Sequence, residues 1–145
     1  MNILLLHNYD IGNPGLYLER SLRKKHHLVT ENVNKGLPIR LYERLDKFRE
    51  PFRTKYFHIP DIYRYHFLPP LKIPNLLRKI QERIDFIFLI DSGAIIARVK
   101  DIEKVDIPTA FWAIDVHYDL KLRLRVASKF KYIFVAQKDF VEKFR

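Results

Sequence analysis

Ile107 to Phe144 read IPTAFWAIDVHYDLKLRLRVASKFKYIFVAQKDFVEKF, and this stretch decides the fold. Thr109 to Ile114 and Tyr132 to Ala136 are short apolar runs rich in aromatic and β-branched residues, the composition of strands buried on both faces. Between them lies a polar turn, Asp115 to Asp119, and then a basic helical segment over Leu120 to Ser128; a second helix is expected after Gln137. Strand, helix, strand, helix is the grammar of an α/β domain with a parallel sheet. The polar cluster Asp115, His117 and Asp119 falls where the first strand ends, and open α/β sheets place ligands outside the carboxyl ends of their strands.

The rest of the chain extends this pattern toward the N-terminus. Asn2 to Leu6 is an unbroken apolar run, expected as a central strand, and the loop His7 to Pro14 leads into a helix with Gly15, Leu18 and Leu22 on one stripe. Arg20, Arg23 and Lys24 then face water, and Leu28 to Val33 reads as a second strand closed by Asn34-Lys35-Gly36. From about residue 37 to 74 six prolines punctuate a basic, aromatic stretch that reads as an irregular insertion. Leu41, Leu45 and Phe48 mark one helix inside it, and Thr54 to Ile59 suggests a short strand. Asn75 to Arg83 predicts a helix with Pro74 near its start, Asp85 to Ile90 a strand, and Asp101 to Val105 a helical turn. The expectation is a single domain over residues 1–145: a doubly wound, mostly parallel, Rossmann-like sheet of about five strands, of Rossmann or flavodoxin type.

Composition narrows the classes of function. A hydrophobic content of 48% supplies a core for one domain of 145 residues. The absence of cysteine excludes disulfides, thiolate metal sites and a catalytic thiol, and it suits a reducing cytoplasm. No apolar run approaches the roughly 20 residues of a membrane-spanning helix. The formal charge of +10 predicts attraction to anionic partners, among them nucleotides, acidic glycans, lipid head groups and nucleic acid.

In a parallel sheet the polar groups that follow strands share one edge. Here they are His7, Asn8 and Asp10, then Asp91, Ser92 and Gly93, then Asp115 and His117, and last Gln137. The loop Asn8-Tyr9-Asp10-Ile11-Gly12-Asn13-Pro14-Gly15 can offer backbone N–H groups to a phosphate, although it is not a GxGxxG fingerprint and Pro14 removes one donor. Its plainer reading is a tight turn that lets the helix pack close to the sheet. Asp115-x-His117-x-Asp119 offers a general base, a hydroxyl-binding carboxylate or metal ligands; the competing reading has Asp119 capping the helix and Asp115 merely ending a strand. No second His/Asp cluster with ligand spacing accompanies it, so no metal is expected. Arg40, Arg44, Lys47, Arg49, Arg53, Lys55, Tyr56, Tyr63, Arg64 and Tyr65 have the composition of a nucleic-acid surface, but no nucleic-acid-binding module surrounds them. His26, His27 and His58 read as surface or helix-end residues and Trp112 as core.

Ile107 to His117, followed by Phe134-Val135-Ala136-Gln137-Lys138-Asp139-Phe140 and Phe144, resembles the N-terminal half of CgeB-like bacterial glycosyltransferases, which have the two-Rossmann GT-B architecture. The resemblance covers the last 40 residues well and the opening strand only generically. It implies an acceptor-binding domain, with a nucleotide-sugar as co-substrate held mainly by a C-terminal domain or partner chain that these 145 residues do not contain. It further implies that Asp115 and His117 face the interdomain cleft as base or hydroxyl ligand. Asn8, Asp10, Gly12, Asn13, Gly15, Asp91, Ser92, Gly93 and Asp119 then form the surrounding substrate-binding edge. The acceptor that the resemblance implies, and with which the basic charge is consistent, is a cell-envelope glycan or another anionic, lipid-linked molecule, met in the cytoplasm at the inner face of the membrane. The alternative is a non-catalytic α/β module that binds a nucleotide, protein or nucleic acid through the same edge.

Overall fold

The computed structural model describes residues 1–8, 14–33, 70–91, 99–117 and 120–145. Along the chain, β1 (Asn2–His7) leads to α1 (Pro14–Leu22) and β2 (His27–Asn32). Next come β3 (Leu71–Lys72), α2 (Ile73–Lys79), β4 (Phe86–Ile90), β5 (Val99–Lys100) and a 3-10 turn at Ile102–Lys104. The chain then runs through β6 (Thr109–Ala113), α3 (Leu120–Ala127), β7 (Tyr132–Val135) and a closing 3-10 helix, Lys138–Phe144.

Five strands form one sheet in the order β2-β1-β4-β6-β7, and every neighbouring pair is parallel. Counted along the main sheet alone this is the order 2-1-3-4-5, the flavodoxin-like form of the doubly wound fold, whose order reverses between its first and third strands. That reversal lies between β1 and β4, where Ile3 to Leu6 pair with Phe86 to Leu89. The α/β expectation and the five strands are therefore observed, with ends shifted by one or two residues.

Alternation along the strands feeds two cores. Leu4 and Leu6 of β1, Ile87 and Leu89 of β4, and Phe111 and Ala113 of β6 pack with Ile73, Ile102, Ala127 and Phe130. Ile3, Leu5, Leu28 and Ile90 pack on the other face with Leu18 and Leu22 of α1. Thus α1 covers one face, while α2, α3 and the 3-10 turn cover the other. Leu4, Leu5 and Leu6 have no exposed surface, and each contributes roughly 1.5–3 kcal/mol by burial. Trp112 and Ile114 lie partly buried against the α1-side core, as a core reading of Trp112 requires.

Local sequence explains the helix positions. Pro14 opens α1 and Pro74 sits in the first turn of α2, where an absent N–H costs nothing. Helix α2 begins at Ile73 and stops at Lys79, earlier at both ends than the stripe Leu77, Ile80, Ile84 suggests. Ile80 is already extended and its N–H turns back to the carbonyls of Leu76 and Leu77; Ile84 instead joins the core from the segment before β4. The helix expected after β7 is present as a 3-10 helix, with Phe140 and Phe144 against the α3-side core.

A two-stranded parallel sheet, Leu71 and Lys72 paired with Val99 and Lys100, was not anticipated. It shows that the end of the expected insertion, residues 71–74, belongs to regular structure. The helix expected at Leu41 to Phe48, the strand at Thr54 to Ile59, and His58 lie outside the described residues. Among the described residues no helix is long and apolar enough to cross a membrane.

Candidate functional site

The carboxyl ends of β1 and β4 flank the reversal in strand order, and each ends in a buried charge-bearing group. Parity along the strands decides where these point. His7 continues the series Ile3, Leu5 and so faces α1; Asp91 follows Ile90 and so faces α3.

On the α1 side, His7 is fully buried with Nε2 3.1 Å from Glu19 Oε2 and Nδ1 2.9 Å from the carbonyl oxygen of Asn8. Both partners are acceptors, so each ring nitrogen lies within hydrogen-bond distance of an oxygen on α1 or at the end of β1. Arg23 fixes the Glu19 carboxylate by donating from Nε at 2.9 Å and from Nη2 at 2.7 Å to Oε1. Gly15 makes the close approach of helix and strand possible. A Cβ at that position would sit 2.5 Å from His7 Nδ1 and 2.7 Å from His7 Cβ and Cγ.

On the α3 side, Arg123 Nε donates to Asp91 Oδ2 at 2.5 Å, and Nη2 donates to Oδ1 at 3.4 Å. Neither side chain has any exposed surface. The backbone N–H of Asp91 also donates to the Trp112 carbonyl oxygen at 2.9 Å, which ties the end of β4 to β6. These two buried constellations rigidify the carboxyl edge from both faces of the sheet.

At the end of β6 the chain turns through Asp115 in a left-handed conformation, φ 50°. Aspartate tolerates that region better than most residues, since its short polar side chain can bond locally. The following N–H, that of Val116, donates to Gln137 Oε1 at 2.9 Å while the Val116 side chain is buried in the core. Gln137 Nε2 lies 3.2 Å from His117 Nδ1. Gln137 follows β7, so one amide side chain latches the turn after β6 to the end of the neighbouring strand. Asp115 is half-buried and His117 exposed, so this turn presents polar groups at the surface.

A groove of about 670 Å³ opens on the same edge at the end of β2. Its lining includes Glu31, Asn32, Leu71, Lys72, Asn75 and Lys79. Lys72 and Lys79 bring positive charge to a lining that also holds the Glu31 carboxylate and the apolar side chains of Val33, Leu71, Leu76 and Ile80.

The expected site residues thus divide into distinct groups. Asn8 and Gly15 are buried beside His7; Asp91 is buried beneath the edge and paired; Asp115 and His117 stand together on the β6 turn. Asp10, Gly12, Asn13, Ser92, Gly93 and Asp119 lie outside the described residues. Glu19 and Arg123 were missed as members of the edge. Arg123 and Ala127 are the buried residues of α3, but Arg123 sits in a run where leucines alternate with basic residues, Leu120 to Arg125, and nothing local marks it as inward-facing. Among the described residues, no group of three or more His, Cys, Asp or Glu is gathered to hold a metal ion.

Fold and edge together define an all-parallel α/β domain of Rossmann-like class. Among known proteins, no family model, curated protein or solved structure matches the chain.

Proposed function

We propose that this chain is the acceptor-binding domain of a glycosyltransferase that moves sugar from a nucleotide-sugar to an anionic, cell-envelope-type acceptor. The observation that carries the reading is the Asp115–His117 turn, held at the carboxyl end of β6 by Gln137 beside the buried edge of β1 and β4. Its residues are those on which the resemblance to CgeB-like enzymes rests. The groove with Lys72 and Lys79 supplies a surface for the acceptor, and Asp115 is the carboxylate placed to accept a proton from its hydroxyl. The nucleotide-sugar is assigned to a second domain or partner chain, as is usual where binding of two substrates is divided between lobes. Positioning both substrates supplies much of the rate in such reactions.

The 145-residue chain is then expected to bind an anionic glycan and to give no turnover of UDP- or GDP-sugars by itself. Equilibrium binding to oligogalacturonate and to poly(glycerol phosphate), measured for the native chain, Asp115→Asn and His117→Ala, tests this. Loss of binding in both variants supports the reading. Sugar transfer by the chain alone, or binding indifferent to both changes, contradicts it.

One observation favours a second reading, a non-catalytic module for a nucleotide or other small anion. His7, Asp91 and Arg123, the groups at the point of strand reversal, are wholly buried in pairs that stabilise the fold. UDP binding that survives Asp115→Asn and His117→Ala would favour that alternative.

A further inference from the structure

Strand β7 closes one side of the main sheet, and among the described residues no strand pairs with its outer edge. The backbone groups of successive strand residues point to opposite neighbours. The Ala136 N–H donates to the Ala113 carbonyl oxygen of β6 at 3.0 Å, so Phe134 and Tyr132, at alternate positions before it, also turn their backbone groups to β6. The N–H and C=O groups of Ile133 and Val135 therefore line the open edge.

Beside that edge one face of the sheet is aromatic. Tyr132 and Phe134 are 46% and 53% exposed, and Phe134 packs on Phe88 across β6 with ring centroids 5.9 Å apart. No charge or proline, the usual guards of an open edge, interrupts Tyr132 to Val135. Positive charge flanks it instead: Lys131 Nζ lies 5.7 Å from the centre of the Tyr132 ring, and Lys138 follows the strand. From Leu120 to Lys138 the chain carries six basic residues and no acidic one, and among them it is Arg123 that is buried against a carboxylate.

We propose that the outer edge of β7 is a docking site for an acidic peptide segment of a partner protein, which adds to the sheet as a further strand. Its backbone bonds to Ile133 and Val135, apolar side chains two residues apart lie on Tyr132 and Phe134, and carboxylates meet Lys131 and Lys138. Backbone bonds supply affinity in such strand addition, and the alternate side chains supply specificity. A nucleic-acid backbone offers acceptors but no donors for the C=O groups of Ile133 and Val135. A second copy of the chain brings a charge of +10 to an edge that is already basic. This surface is separate from the proposed acceptor site, and its test is independent of that reading.

The probe is a short, end-capped fluorescent peptide in which valine and glutamate alternate, titrated into the full chain by anisotropy. Replacing its glutamates by lysine should weaken binding by about tenfold or more. Two further peptides carry methyl groups on alternate backbone nitrogens, one on the valines and the other on the glutamates. The one whose methyl groups face β7 should lose about tenfold in affinity, the loss of hydrogen bonds of ordinary net strength. Hydrogen exchange of the Ile133 and Val135 amides should slow by about tenfold or more in the saturated complex. Tyr132→Thr with Phe134→Thr, which keeps strand-forming residues at half-exposed positions, should weaken binding to a similar degree. Should that variant fail to fold, the methylated peptides still decide. Equal affinity for the lysine peptide, indifference to both methylation patterns, or unchanged exchange at Ile133 and Val135 would overturn the proposal. So would a dimer of the chain alone with both amides already protected, or an oligodeoxythymidylate that binds this edge more tightly than the acidic peptide.

Discussion

Arg123 reaches from α3 to Asp91 at the end of β4, and the two charges meet with no exposed surface on either side chain. Isolated buried charges are costly, and a pair repays desolvation only when its geometry is good. Removing one member should therefore cost more than removing both. Asp91→Leu and Arg123→Met are each expected to lose about 3–5 kcal/mol of stability, with much of it recovered in the double variant. Urea unfolding of the two single variants and the double variant checks the coupling directly.

Gly15 should resist even a methyl group. Elsewhere in a helix, glycine to alanine gains up to about 1 kcal/mol. Here the added carbon meets the ring and Cβ of His7 well inside van der Waals contact. Gly15→Ala is expected to destabilise by about 1–3 kcal/mol, the usual range for overpacking. Thermal unfolding should show the penalty shrinking only in part when His7→Ala is added, because the ring is then absent while the Cβ of residue 7, 2.7 Å from the added carbon, stays.

The Asp115 backbone separates conformation from charge. Its φ of 50° favours glycine, so Asp115→Gly should be stabilising by about 1 kcal/mol while removing the carboxylate. Asp115→Val should cost stability, since a β-branched residue fits poorly there. Asp115→Asn tolerates the same backbone and is the variant in which loss of binding reports charge alone. Circular dichroism melts beside glycan binding distinguish the three.

The groove at the end of β2 predicts a salt-dependent contribution from Lys72 and Lys79. Lys72→Gln with Lys79→Gln should weaken binding of poly(glycerol phosphate) most at low ionic strength, with the difference narrowing as salt screens the charges. Isothermal titration at two salt concentrations measures it. Equal loss at both concentrations would point to a change of groove shape instead.

Acid titration offers a further check at Asp101, another left-handed residue, with φ 62°. The hydrogen bond from Lys104, whose Nζ lies 2.9 Å away, is the main cause that holds its carboxyl below the usual carboxylate range. A carboxyl with a depressed folded value contributes stability above its unfolded value. That contribution is lost as pH falls through the folded value, below about 3.8. Asp101→Asn should thus be less stable than the native chain at neutral pH, by an amount that disappears in strong acid and shrinks in salt. Stability curves from pH 7 to pH 2 compare the two.

Periodicity made the sheet legible. Continuous apolar runs at Asn2 to Leu6, Phe86 to Ile90 and Thr109 to Ala113 are what strands covered on both faces require, and all three occupy the centre of the sheet. The short β3 and β5 carry no such signal, since two residues cannot show a period and each pairs with a residue 28 positions away. Arg123 was hidden because a basic helix is ordinarily read as a solvated one. What turns Arg123 inward is a carboxylate 32 residues away, which local patterning cannot report. That His7, Asp91, Asp115 and Gln137 follow strands of one parallel sheet was legible from topology alone; the latch from Gln137 to Val116 and His117 was not, because it joins two turns through a side chain.

The central claim is that the carboxyl edge around the β6 turn is where this chain meets its ligand, and amide chemical-shift mapping tests it most directly. The ¹⁵N-labelled chain, titrated with oligogalacturonate and with poly(glycerol phosphate), should respond at Asn8, Asp91, Val116, His117 and Gln137 together with Lys72 and Lys79. Saturable shifts confined to that edge are the predicted result. Shifts spread over the exposed lysines and arginines of α3 and the β7 edge, at Lys121, Arg125 and Lys131, with the β6 turn silent, would contradict it.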